Sequence, residues 1–158
     1  MKFKKSDILT SDERLQILNL WNEEYPQSIS LLNLDGFDTY LANLKDKHHL
    51  LVSNDVDGII GWYIDFIRDE ERWFAMIVDH KYQGKGIGRQ LIGMAKETNE
   101  VLNGWVILRD DYKKRNGEAY LSPISFYRKN NFEIIPYIKL ETDSLTAIKM
   151  FWEKKKKE

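Results

Sequence analysis

The sequence predicts a mixed α/β domain in which helices pack against a mostly antiparallel sheet. Three observations carry this. Residues 48–79 are rich in β-branched and aromatic types and break only at "NDVDG" and "RDEE", which have turn composition. Helix signals flank that block on both sides. Strands and helices do not alternate strictly enough for a doubly wound dinucleotide fold.

The elements follow in order. "KFKK" is a short first strand. Thr10 and Glu13 stand at capping-box spacing, and Leu15, Leu18 and Trp21 follow at helical period, so a helix is expected there that fades before Pro26. Asp35 is expected to cap a second helix carrying Phe37, Tyr40, Leu41 and Leu44. A meander of three strands comes next, at about 48–53, 58–68 and 71–79. Ile87, Leu91, Met94 or Ala95, and Leu102 mark one face of a third helix. "WVILRD" (105–110) is expected as a strand. In "SPISFYRKNN", Ser122 is placed at the N-cap of a fourth helix and Pro123 at its first position. "FEIIPYIKLET" and "TAIKMFWEK" form two final strands. One domain is expected over 1–153, with a solvated charged tail at 154–158.

Composition excludes several function classes. A chain of 158 residues with 42% apolar content can bury one full core. Its net charge of −1 provides no global basic field, so neither nucleic acid nor a membrane surface is expected as a partner. There is no cysteine, hence no disulfide, thiolate metal site or cysteine nucleophile, which fits a cytoplasmic setting. The N-terminus shows no signal-peptide pattern, and no apolar run approaches the ~20 residues that span a bilayer. His48 and His49 are adjacent in a strand and face opposite ways without acidic partners at metal spacing, so no metal site is expected. His80 is read as a loop residue, and Lys113, Lys114 and Arg115 as solvated. A monomer and a homodimer both fit the sequence.

The stretch "YQGKGIGR" (82–89) lies between an apolar strand and a helix. It lacks the P-loop spacing and has no Ser or Thr to hold magnesium. Its G-x-G-x-G (Gly84, Gly86, Gly88) also departs from the dinucleotide fingerprint. Its physics still favours an anion over a plain turn. A helix N-terminus leaves N–H groups unpaired and carries about half a positive charge, and glycines let a diphosphate approach them. Lys85 and Arg89 add charge at the same place.

"VDHKYQGKGIGRQLI" resembles the cofactor motif of the GCN5-related N-acetyltransferase (GNAT) superfamily, Q/R-x-x-G-x-G/A, here on Gln83, Gly86 and Gly88. The element order resembles that family's fold over about residues 2–153. The resemblance implies an acetyl-CoA site, with the pyrophosphate held by backbone N–H groups of Gln83, Gly84, Lys85, Gly86, Ile87 and Gly88, and Arg89 beside them. It also implies that the pantetheine pairs with the strand ending at Met76, Ile77 and Val78, where the sheet splays. "ISFYRKNNFEII" resembles the family's later helix–strand element and puts Tyr127 on the tyrosine that often acts as general acid. Asn131 stands where the family has Gly, which a left-handed helix end tolerates. Tyr120 aligns with an Asn that often contacts pantetheine, and Ser122 is its substitute.

The implied reaction is acetyl transfer from acetyl-CoA to a primary amine by direct attack, with no metal. A non-catalytic CoA-binding module, or a transferase using another acyl-CoA, is the alternative. A lysine-like amine costs about 4.6 kcal/mol to deprotonate at pH 7. Candidate bases are Asp65, Glu70, Glu71 and Asp79, and the sequence does not separate them. Proton transfer from a tyrosine to a thiolate is about 2 kcal/mol uphill and accessible. A backbone N–H near Ile77 or Val78 would hold the oxyanion. Trp21, Tyr25, Trp62 and Trp73 are expected to shape the acceptor pocket.

Overall fold

The structure of the protein is a computed structural model that describes residues 1–156. Chain order is β1 (Lys2–Ser6), α1 (Ser11–Glu24), α2 (Leu34–Ala42), β2 (Lys45–Asn54), β3 (Gly58–Arg68), β4 (Glu71–Val78), α3 (Ile87–Thr98), β5 (Val101–Val106), α4 (Ile124–Lys129), β6 (Glu133–Glu141) and β7 (Thr146–Glu153). Of the tail expected at 154–158, residues 157 and 158 lie outside the described residues.

Local chemistry explains most boundaries. Thr10 caps α1 through a full capping box: its hydroxyl accepts from the Glu13 N–H at 3.1 Å, and the Glu13 carboxylate accepts from the Thr10 N–H at 2.9 Å. Asn131 takes a left-handed φ of 69°, as expected for the residue that ends α4. Four expectations are corrected. Asn33, not Asp35, caps α2, accepting from the Gly36 N–H at 3.0 Å. Asp35 instead lies in the first turn, where a carboxylate favours the helix dipole. Helix α3 ends at Thr98, so Leu102 belongs to β5. Strand β5 covers 101–106 rather than 105–110, because Val101 to Val106 pair antiparallel with β7. Pairing across 50 residues overrides local composition there. Ser122 is not the cap of α4: its hydroxyl donates to the Ile107 carbonyl, and Pro123 stands at the N-cap.

The seven strands order as β1-β2-β3-β4-β5-β7-β6 in one sheet. Every neighbouring pair is antiparallel except β4–β5. Strand alternation separates two cores. Trp62, Ile64 and Ile77 pack under α1 and α2 with Leu18, Trp21 and Phe37. Tyr63, Phe74 and Met150 pack on the other face with Leu91 of α3 and Tyr127 of α4. Strands β3 and β4 match at eight positions, from Gly61–Val78 to Arg68–Glu71. Strands β4 and β5 match at one, Trp73–Asn103, and then diverge. This divergence opens the sheet beside Met76, Ile77 and Val78.

Candidate active site

The divergence leaves backbone groups without sheet partners. The Asp79 N–H donates to the Ile60 carbonyl, so by alternation Ile77 and Ala75 point their polar groups at β3. Met76 and Val78 point theirs into the gap. The Arg72 carbonyl faces the same way and accepts from the Asn103 side chain at 3.0 Å. The Gln83 amide donates to the Val78 carbonyl at 2.9 Å and pins the loop to the strand end. Asp79 accepts from the Lys81 N–H at 2.9 Å and caps a short 3-10 turn at His80–Tyr82.

The loop then enters α3 through Gly86, whose φ of 84° is left-handed and costs a side-chain-bearing residue about 1–2 kcal/mol. Gly88 is required for a different reason. A Cβ there would lie 3.1 Å from the Phe126 ring. The first intrahelical bond runs from the Gln90 N–H to the Gly86 carbonyl, and the last loop bond from the Gln83 N–H to the His80 carbonyl. The six N–H groups from Gly84 to Arg89 therefore make no hydrogen bond among the described residues.

These donors face a cleft of about 990 Å³. Met76, Ile77, Val78, Gln83, Gly84, Gly86, Ile87, Gly88, Arg89, Ser122 and Tyr127 all line it. Lys85 does not. Its ammonium lies over the Tyr82 ring, 5.3 Å from the centroid. The Ile77 N–H is committed to β3, so of the two groups expected to hold an oxyanion only that of Val78 faces the gap. The Ser122 hydroxyl is likewise committed as a donor to Ile107. Among the described residues Arg89, Lys96 and Lys129 line the cleft against a single carboxylate, Glu24. Unpaired N–H groups, a helix N-terminus and excess positive charge together suit a polyanion with an extended tail.

Tyr127 packs its ring edge-on to Phe74, Phe126 and Phe132 at 5.0–5.8 Å. Burial, helped by Tyr120, pushes its pKa above the ordinary tyrosine value. It therefore stays protonated throughout the neutral range. It also lines a second cavity of about 260 Å³, which continues from the cleft past Tyr25, Met76, Tyr120 and Pro123. Trp21, Tyr25 and Trp73 line this cavity as expected. Trp62 does not: it is fully buried, and its indole N–H donates to His49 Nδ1 at 3.0 Å.

None of the four candidate bases lines either cavity. Asp65 is buried on the α3 face, accepts from the Tyr63 hydroxyl at 2.7 Å and pairs with Arg72 at 3.1 Å. Glu70 sits in the β3–β4 turn and Glu71 faces Lys149 at 3.7 Å. Asp79 is the 3-10 cap. The sequence reading missed Glu24. This buried residue ends α1, where the helix dipole disfavours a carboxylate. It is offset by three donors: the His80 N–H and His80 Nδ1, both at 2.8 Å, and Lys114 Nζ at 3.3 Å. Lys114 is thus a half-buried ion-pair partner rather than a solvated lysine. The Glu24 carboxylate can only accept, so His80 Nδ1 is the donor in this contact.

Among the described residues no helix is long and apolar enough to cross a membrane, and no cluster of three or more His, Asp or Glu could hold a metal ion. Three solved structures share the fold. An aminoglycoside 6'-N-acetyltransferase complexed with coenzyme A matches 97% of each chain with a TM-score of 0.69 at 12% identity. An aminoglycoside 6'-acetyltransferase type Ii matches 97% of each chain, with a TM-score of 0.68 at 14% identity. A spermidine N-acetyltransferase from Vibrio cholerae, in complex with CoA and spermine, matches 96% of this chain and 95% of its own, with a TM-score of 0.65 at 16% identity. Comparison with curated protein sequences gives no match. A family profile described as "Acetyltransferase (GNAT) domain" matches residues 45–134, more than half of the 158-residue chain. With its splayed β4–β5 edge and its glycine loop inside that match, the chain belongs to the GNAT acetyltransferase family.

Proposed function

We propose that the protein transfers an acetyl group from acetyl-CoA to a primary amine by direct attack. The observation that carries this reading is the unbroken run of unpaired N–H groups from Gly84 to Arg89, set beside the open edge of β4. Bound acetyl-CoA supplies the thioester.

The chain's own groups divide the work. The Gly84–Arg89 N–H groups, with Arg89, hold the pyrophosphate. Met76 offers its backbone N–H and C=O to the amides of the pantetheine arm, as a strand would. The Val78 N–H faces the carbonyl oxygen as negative charge grows on it. The amine nitrogen forms the new C–N bond while the C–S bond breaks. Tyr127 gives its proton to the departing sulfur. Its raised pKa makes this costlier than in water, but desolvation raises the thiolate's pKa as well. Glu24, the one carboxylate that lines the cleft among the described residues, takes up the proton lost by the amine, directly or through water. Tyr120 lines the same cleft, and burial, with Glu24 nearby, lifts its pKa to about 12.

The test is thiol release from acetyl-CoA against a panel of amines, with acetyl-CoA binding measured separately by calorimetry. Amine-dependent release that Gly86→Asp abolishes is expected. Tight binding without release on any amine would favour a non-catalytic CoA-binding module. Faster release from a longer acyl-CoA would reassign the donor.

A further inference from the structure

The 260 Å³ cavity lies in the gap between β4 and β5 and opens on the same place that Met76 and Tyr127 face from the cleft. Its walls are aromatic rings drawn from distant parts of the chain: Trp21 of α1 and Tyr25 at its C-cap, Tyr40 of α2, Trp73 of β4, Trp105 of β5, and Tyr120. The rings already meet edge-to-face or tilted, with Trp21 at 4.8 Å from Tyr25 and 5.0 Å from Tyr40, and Trp73 at 5.0 Å from Trp105. An apolar cavity of ~150 Å³ holds a benzene ring. The space here holds a ring and a short aminoalkyl chain.

The polar groups of the cavity are unusual in being unspent. The hydroxyls of Tyr63, Tyr82 and Tyr112 are hydrogen-bonded to protein. Those of Tyr25, Tyr40, Tyr120 and Tyr127 make no hydrogen bond among the described residues, and all four residues line this cavity. Burial, with Tyr40, Tyr120 and Tyr127 close by, pushes the Tyr25 pKa well above its ordinary value. The Trp73 indole N–H is buried and unpartnered. Among the described residues no carboxylate lines the cavity. Its one charged side chain is Arg68, whose guanidinium lies 5.0 Å over the Phe66 ring and forms no ion pair among the described residues.

We infer that the acceptor is a primary monoamine carrying a flat aromatic body, and that this cavity rejects polycations. The inference rests on the acetyl-transfer reading. The rings supply stacking and edge contacts to an aromatic guest. The tyrosine hydroxyls accept from an uncharged amine and direct it at the gap. A second ammonium finds no counter-charge in the cavity and meets Arg68. The same lack of a carboxylate favours the neutral amine, because desolvation without an anion lowers an amine's pKa. The site thereby obtains by exclusion of water part of what a general base would supply.

The experiment compares 2-phenylethylamine, tryptamine, hexylamine and spermidine as acceptors with acetyl-CoA, read by thiol release. It also measures quenching of the protein's tryptophan fluorescence by 2-phenylethylamine. The two aromatic amines are expected to exceed hexylamine at least tenfold and spermidine at least 100-fold in kcat/KM, with saturable quenching. Arg68→Glu should narrow the preference over spermidine about tenfold. Equal or better turnover of spermidine or hexylamine would overturn the inference and leave acetyl transfer standing. Saturable quenching without thiol release from any amine would overturn acetyl transfer while supporting the assigned occupant. Neither quenching nor release would overturn both.

Discussion

Strand β4 has two unlike flanks. Towards β3 it is matched at eight positions, and the polar side chains behind that ladder are spent on one another: Asp65 on Arg72 and Tyr63, His49 on Trp62. Towards β5 it is matched once, and the groups beside the gap are left over: the Met76 backbone, the Val78 N–H, the loop N–H groups and four tyrosine hydroxyls. Satisfied groups hold a fold together, and unsatisfied ones wait for a ligand. Changes on the paired flank should therefore alter stability without chemistry, and changes on the open flank the reverse.

The largest expected effect is on the paired side. Asp65→Ala leaves the buried Tyr63 hydroxyl without its acceptor and Arg72 with Asp46 as its remaining carboxylate, and should cost about 3–4 kcal/mol in denaturant unfolding. Acetyl transfer per folded molecule should stay as it was. Lost activity at unchanged stability would instead restore Asp65 as a base. His49 comes next. Its ring is buried and its Nδ1 accepts from Trp62, so its pKa falls to about 4 from an ordinary 6.5. Between pH 6.5 and 4 the unfolded chain binds this proton and the folded chain does not. Stability should decline by about 3 kcal/mol as pH falls through that window. His49→Gln should flatten the decline in a urea series.

On the open side, Tyr127→Phe should lower kcat about 100-fold with acetyl-CoA affinity unchanged by calorimetry. An equal loss of thermal stability and activity would make Tyr127 a packing residue only. The smallest effect expected is that of Gly86→Ala. A left-handed φ of 84° costs the new side chain about 1–2 kcal/mol, so acetyl-CoA affinity should fall about tenfold while the melting temperature shifts by only a few degrees.

What could be read from the sequence follows the same division. The glycine loop was legible because its donors are consecutive residues, and the backbone geometry they need is set by glycines that neighbour one another. The element order was legible because each helix and strand carries its own period. Boundaries failed where distant partners decide them. Strand β5 begins at Val101 because β7 lies beside it, and Gly104 within it has Phe74 and Met150 each 2.9 Å from where a Cβ would be. Glu24 left no local signal, since its partners lie 56 and 90 residues away. Trp62 and Trp73 look alike in sequence, yet one is sealed against His49 and the other borders a cavity. Trp62 lies on β3, paired on both sides by β2 and β4, whereas Trp73 lies on β4 at its one match with β5, where the gap begins.

Alternation along β4 has a spectroscopic consequence. The amides of Ala75 and Ile77 are locked in the ladder with β3, whereas those of Met76 and Val78 face the gap. Deuterium should therefore replace every second amide proton along this strand, fast at 76 and 78 and slow at 75 and 77. A ligand that completes the strand would erase the contrast, turning four neighbouring resonances into a built-in reporter of occupancy.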